Sequence, residues 1–175
     1  ACTLGHGEGQ IYVCERLHAP SPASEGLAGG IITAADNVLY LWDLGSNGSS
    51  EPRTWTFENL AHGYDEAYGG PRNEERMAFI FDAKSSNRNP QMLVVALSDG
   101  TVRIVDLTRG DEEGNGVCDK CINVASVIGR LDSSSSRGAP PHVTMVALSQ
   151  DDKTLLVCLG NGKVAVFYFE DGLQE

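Results

Sequence analysis

The sequence predicts an all-β fold of about three four-stranded antiparallel units. Three observations predict it. The apolar runs are short, rich in β-branched residues and bounded by glycine or by Asp and Asn turns. They come in pairs: residues 30–35 with 38–42, 92–97 with 101–105, and 154–159 with 163–168. Finally, the pairs keep a fixed phase, because Trp42, Val105 and Phe167 recur 63 and 62 residues apart (105−42 and 167−105).

Each pair is joined by turn residues, namely Asp36-Asn37, Ser98-Asp99-Gly100 and Gly160-Asn161-Gly162. Apolar strands linked in this way are the strongest short-range hairpin signal a sequence offers. Upstream of each hairpin stands a further strand candidate, at residues 10–17, 76–81 and 142–148. Between the units, residues 54–60 and 122–128 read as outer strands, and residues 1–4 read as an outer strand preceding the first unit. No stretch sustains a 3.6-residue period, so helix is expected to be nearly absent.

Four strands per repeat is the arithmetic of a β-propeller blade. Blades stack face against face, so their middle strands are covered on both sides and lose the alternation of a strand with one wet face. Residues 92–97, Met-Leu-Val-Val-Ala-Leu, lack that alternation. The count runs to one outer strand, two sets of four and a final three. Because three blades alone leave an open arc with bare apolar faces, the remaining blades or a second copy are expected to close the ring.

Gly5-His6 followed by Trp42-Asp43 resembles one WD repeat, and with it the chain is similar to the WD-repeat propeller family. The resemblance implies a structural network of His6, a turn Asp at Asp36, a strand Ser/Thr, Trp42 and Asp43. The Ser/Thr place falls on Ile32, with Thr33 one residue away. In the second repeat Asp99 and Asp106 match the turn and final Asp, while Val105 replaces Trp; in the third, Asn161 and Phe167-Tyr168 replace Asp and Trp-Asp. The repeats span about residues 5–44, 60–107 and 129–169 of a single partial domain, 1–175.

Composition narrows the partners. Thirteen Lys and Arg against 24 Asp and Glu give a formal charge of −11, which repels nucleic-acid phosphates and favours proteins or peptides, basic ones above all. No run of about 18 apolar residues suggests a membrane span, and no charged start with an apolar core suggests a leader. Five cysteines, Cys2, Cys14, Cys118, Cys121 and Cys158, are an odd number in a chain too large for a disulfide-stapled miniprotein. A reducing cytoplasmic or nuclear setting is expected, with Cys2, Cys14 and Cys158 acting as small hydrophobes within strands.

Repeats of this length exceed a blade of roughly 40–45 residues, so surplus loops are expected at 45–53, 61–75, 108–121 and 129–141. The second of these carries Tyr64, Asp65, Tyr68 and Arg72, aromatics among charges of the kind that anchor a peptide partner. Cys118-Asp-Lys-Cys121 is half of a zinc site with no matching second half, and reads as ordinary loop. Gly5-His6-Gly7-Glu8-Gly9 lacks the following helix that would hold a phosphate, and residues 133–136 are a serine-rich linker. The adjacent acids at Glu74-Glu75, Asp111 to Glu113 and Asp151-Asp152 define no cleft that separates their pKa values. Gly45 and Thr108 stand where WD proteins of cullin-type ubiquitin ligases tend to carry Arg. The expectation is a noncatalytic interaction scaffold of an intracellular complex, with no cofactor and no metal. The alternative is the propeller domain of a larger enzyme or ligand-binding subunit whose activity lies outside this chain.

Overall fold

The computed structural model describes residues 11–17, 30–42, 51–58, 77–108, 118–131 and 141–173. They form three antiparallel sheets in sequence order. The first is β1 (Ile11–Arg16), β2 (Ile31–Ala35), β3 (Val38–Trp42) and β4 (Arg53–Thr56). The second is β5 (Ile80–Ser85), β6 (Met92–Leu97), β7 (Thr101–Asp106) and β8 (Cys118–Asn123). The third holds β9 (Val143–Leu148), β10 (Thr154–Leu159) and β11 (Val164–Tyr168). Each sheet is a simple meander, and the hairpins predicted at 30–42, 92–105 and 154–168 are all present. This is a propeller segment.

The sheets lie face against face, as the unbroken apolar runs require. Every residue of β6 is buried, and its side chains divide between two cores. Leu93, Val95 and Leu97 join Val13, Ile32, Leu39, Leu41 and Trp55 of the first sheet. Met92, Val94 and Ala96 join Val146, Leu155 and Val157 of the third. The inner strands β1, β5 and β9 pack side by side.

Polar contacts fasten each sheet to the next. Glu15 on β1 meets Lys84 on β5 at 3.4 Å, and Arg53 donates to the Leu107 carbonyl at 3.0 Å. Across the second junction the Val146 amide donates to Asp82 at 3.0 Å. Asp152, buried in a left-handed backbone conformation at φ 56°, accepts from the Ser86 hydroxyl at 2.5 Å and from the Asn87 and Arg88 amides at 3.0 and 2.9 Å. Such charge-assisted bonds fix sheet position more sharply than apolar contact can.

Three elements depart from the sequence reading. The outer strand expected at 122–128 lies at Cys118–Asn123, its first four residues in what reads as the surplus loop 108–121, and a helix α1 (Val124–Leu131) follows it. The Asn123 carboxamide accepts from the Ser126 amide at 2.8 Å, an N-cap that ends the strand and starts the helix. The inner strand expected at 76–81 begins at Ile80 and continues to Ser85, where Asp82 and Lys84 hide its strand character behind charge. Cys14 is exposed and Cys158 only half-buried, because both point away from the inter-sheet cores. Among the described residues no helix is long and apolar enough to cross a membrane.

Candidate functional site

The three inner strands share an irregularity that no sequence pattern announces. In β1 the register with β2 slips between Ile11 and Val13; in β5 the register with β6 slips between Ile80 and Asp82. In β9 the pairing of Val143 with Leu159 and of Met145 with Cys158 leaves one extra residue between them. The extra residues are Tyr12, Phe81 and Thr144, at the same place in three adjacent strands. A bulge re-aims the side chain it carries, and bulges concentrate at rims and binding sites. Here Tyr12, Phe81 and Thr144 all face solvent.

Around them the same rim gathers further exposed apolar groups, Ile11, Met77 and Phe79. The His142 ring packs on Phe81 with centroids 5.3 Å apart. Gly160 seats that histidine: its amide donates to the His142 carbonyl at 3.0 Å, and a Cβ there would overlap the imidazole. The hairpin turns border the same end, since the Ile80 amide donates to the Asp36 carbonyl at 2.7 Å and the Ser98 amide to the Phe79 carbonyl at 2.9 Å. The isolated bridge between Glu58 and Met77 brings both ends of the intervening segment to this rim. Tyr64, Asp65, Tyr68 and Arg72 belong to that segment and lie outside the described residues, as do His6 and Asp43.

The described members of the expected WD network are placed as follows. The Trp42 indole donates to the Thr33 hydroxyl at 2.7 Å, and Tyr40 stacks on Trp42 at 6.1 Å. Ile32, the residue that spacing nominates, points into the inter-sheet core instead. Strand register explains the difference: Thr33 pairs with Tyr40 and Ile31 with Trp42, so Thr33 shares Trp42's face while Ile32 takes the other. Asp36 is exposed in a left-handed turn at φ 52°.

Asp99 is fully buried, accepting from the Thr101 amide and hydroxyl at 3.0 and 2.6 Å. It also pairs with Arg103 at 2.9 Å, and Arg103 reaches back to the Glu58 carbonyl and lies over the Phe57 ring at 5.5 Å. This buried pair therefore joins the second sheet to the end of the first. Asp106 repeats the local motif, accepting from the Thr108 amide at 2.8 Å and hydroxyl at 2.7 Å.

The cysteine pair sits on β8 and not in a loop, with Cys121 opposite Arg103. Burial pushes the Cys121 thiol above the ordinary range and the Asp99 carboxylate adds to this, against the pull of the Arg103 guanidinium and a hydrogen bond with Thr101. Among the described residues no group of three His, Cys, Asp or Glu could hold a metal ion. The arrangement is an apolar rim with exposed aromatics, beside charged groups on β1 and β5.

No protein-family model matches the chain, and no curated protein matches it. Solved structures do. A chain of an active polycomb repressive complex 2 in the basal state superimposes with a TM-score of 0.58 at 15% identity, covering 98% of this chain and 28% of that one. A humanized mutant of the Chaetomium thermophilum Polycomb Repressive Complex 2 gives a TM-score of 0.58 at 14% identity, covering 96% and 29%. The structure of ctPRC2 in complex with H3K27me3 and H3K27M gives a TM-score of 0.57 at 15% identity, covering 95% and 28%. The likeness is one of fold, and this chain spans under a third of those chains.

Proposed function

We propose that this chain is a noncatalytic scaffold built of WD-type propeller repeats, binding peptide or protein partners at the rim where the inner strands begin. The observation that carries the reading is the set of equivalent bulges presenting Tyr12 and Phe81, flanked by Met77, Phe79 and His142. Exposed aromatics gathered over a rigid sheet are the composition of an interaction hot spot. The charge of −11 favours partners rich in Lys and Arg. The repeats, about 5–44, 60–107 and 129–169 of a partial domain, supply the frame, with further blades or a second copy completing the ring. That the matched chains belong to polycomb repressive complexes supports a role inside a multiprotein assembly, and a nuclear over a cytoplasmic one.

An array of Lys- and Arg-containing peptides probed with the whole chain tests this. Phe81→Ala and Tyr12→Ala should each weaken the peptides bound by about tenfold or more, with the unfolding transition unmoved. Binding indifferent to both substitutions removes the rim from the proposal. A turnover that survives purification of the chain removes the noncatalytic reading.

A further inference from the structure

We propose that Asn161-Gly162, at the tip of the β10–β11 turn, is a site of spontaneous deamidation through a succinimide, and that the isoaspartyl product lifts the His142 ring off Phe81. The sequence holds Asn-Gly three times, and Asn161-Gly162 is the one among the described residues. In the reaction the Gly162 nitrogen gives up its proton and attacks Asn161 Cγ. A C–N bond forms, the carboxamide nitrogen leaves as ammonia, and a cyclic imide results. Water then opens the imide at either carbonyl, giving aspartate or isoaspartate at position 161.

The turn is arranged for ring closure. Residues 160–164 are all exposed, so water enters and ammonia leaves. Glycine offers its nitrogen with no side chain beside it, and a Cβ built at Gly162 would meet nothing within 4 Å. The Lys163 amide donates to Asn161 Oδ1 at 3.1 Å. That bond closes an Asx turn, which holds Cγ across the Gly162 peptide. It also places an N–H at the oxygen on which negative charge builds during attack. Against closure stands the bond from the Gly162 amide to the Leu159 carbonyl at 2.9 Å, which must open first. At an exposed hairpin tip such opening costs little.

The second hairpin holds the same turn in an inert form. Gly100 and Gly162 share a left-handed backbone, at φ 77° and 82°. The Thr101 amide donates to Asp99 Oδ1 at 3.0 Å, as the Lys163 amide does to Asn161. Asp99, however, is buried and paired with Arg103, and an ionised carboxylate resists nucleophilic attack. The exposed carboxamide of Asn161 has no such protection.

The product acts on the rim through the residue before it. Gly160 donates its amide to the His142 carbonyl at 3.0 Å, and a Cβ on it would come within 2.4 Å of the imidazole that packs on Phe81. Leu159 fastens both sides of the turn, accepting from the Gly162 amide and donating to the Lys163 carbonyl. Isoaspartate routes the main chain through its side chain and so adds a carbon inside that loop. The two bonds cannot both be kept, and Gly160 shifts with them. Aspartate leaves the main chain as it was and can accept from Lys163 as Asp99 does from Thr101.

The test uses the whole chain carrying Asn47→Gln and Asn115→Gln, which remove the other Asn-Gly pairs. It is aged in warm neutral buffer and mapped by mass spectrometry. Amide loss at Asn161 should run within about tenfold of its rate in an unstructured peptide of residues 156–168, and a rate lower by about a hundredfold or more overturns the site. The isoaspartyl form, separated by chromatography from the parent and the aspartyl form, is then read by NMR at the His142 ring. Its resonance should move to the position found in Phe81→Ala, whereas Asn161→Asp should keep that of the parent. An unmoved resonance in the isoaspartyl form, or an equal shift in Asn161→Asp, overturns the clause on His142.

Discussion

Replacing Asp99 by Asn leaves an acceptor for the Thr101 amide but deletes the charge that faces Arg103. Both partners are desolvated: the side chains are 0% and 4% exposed, with the carboxylate and guanidinium 2.9 Å apart. Breaking such a pair from one side strands a buried charge, at about 3–5 kcal/mol. Among the described residues the guanidinium would keep the Glu58 carbonyl and the Phe57 ring, with its Nε already lacking a partner. A domain of this size is stable by about 5–15 kcal/mol, so the loss is about a fifth of the total or more. Arg103→Leu should cost a similar amount by stranding the carboxylate. The double variant should return to within about 1 kcal/mol of the parent, since it leaves neither buried charge without its partner. Urea unfolding followed by the fluorescence of the buried Trp55 gives all four corners of the cycle. If Asp99→Asn costs less than about 1 kcal/mol, or if the two single losses add in the double variant, the pair is not the clamp described above.

Two further outcomes follow from the same geometry. Val94 and Leu156 occupy equivalent positions, but Val94 is sealed between sheets while Leu156 is 42% exposed on the far face of the third. Val94→Asp should therefore cost more than about 4 kcal/mol and Leu156→Asp no more than about 1 kcal/mol, measured by the same unfolding titration; equal losses would show that the far face is covered. For Cys121, alkylation by iodoacetamide followed against pH should reach half its limiting rate above the ordinary thiol range. Asp99→Asn should lower that midpoint, because the carboxylate is one of the groups raising it. A midpoint at or below the ordinary value would refute the account of its surroundings.

The hairpins were legible because turn chemistry acts locally: Asp36-Asn37, Asp99-Gly100 and Asn161-Gly162 sit between short apolar runs, of which β6 is buried on both faces. What the sequence hid depends on competition between neighbours. Val124, Val127, Ile128 and Leu131 recur at helical spacing, yet their β-branched majority reads equally as strand. The Asn123 cap and the burial of Val124 in the second core decide for the helix. Thr33 against Ile32 is a choice of face, and only the pairing register with β3 makes it. The bulges are harder still. Tyr12, Phe81 and Thr144 look like ordinary strand residues, and what singles them out is a one-residue surplus in each inner strand relative to its partner. That surplus recurs at one place in three sheets whose sequences have otherwise diverged. The repeat therefore transmits a backbone irregularity more faithfully than any side chain at that place. A fold that keeps the bulge and varies what it carries, Tyr in one sheet, Phe in the next and Thr in the third, keeps its rim geometry while changing the chemistry exposed there.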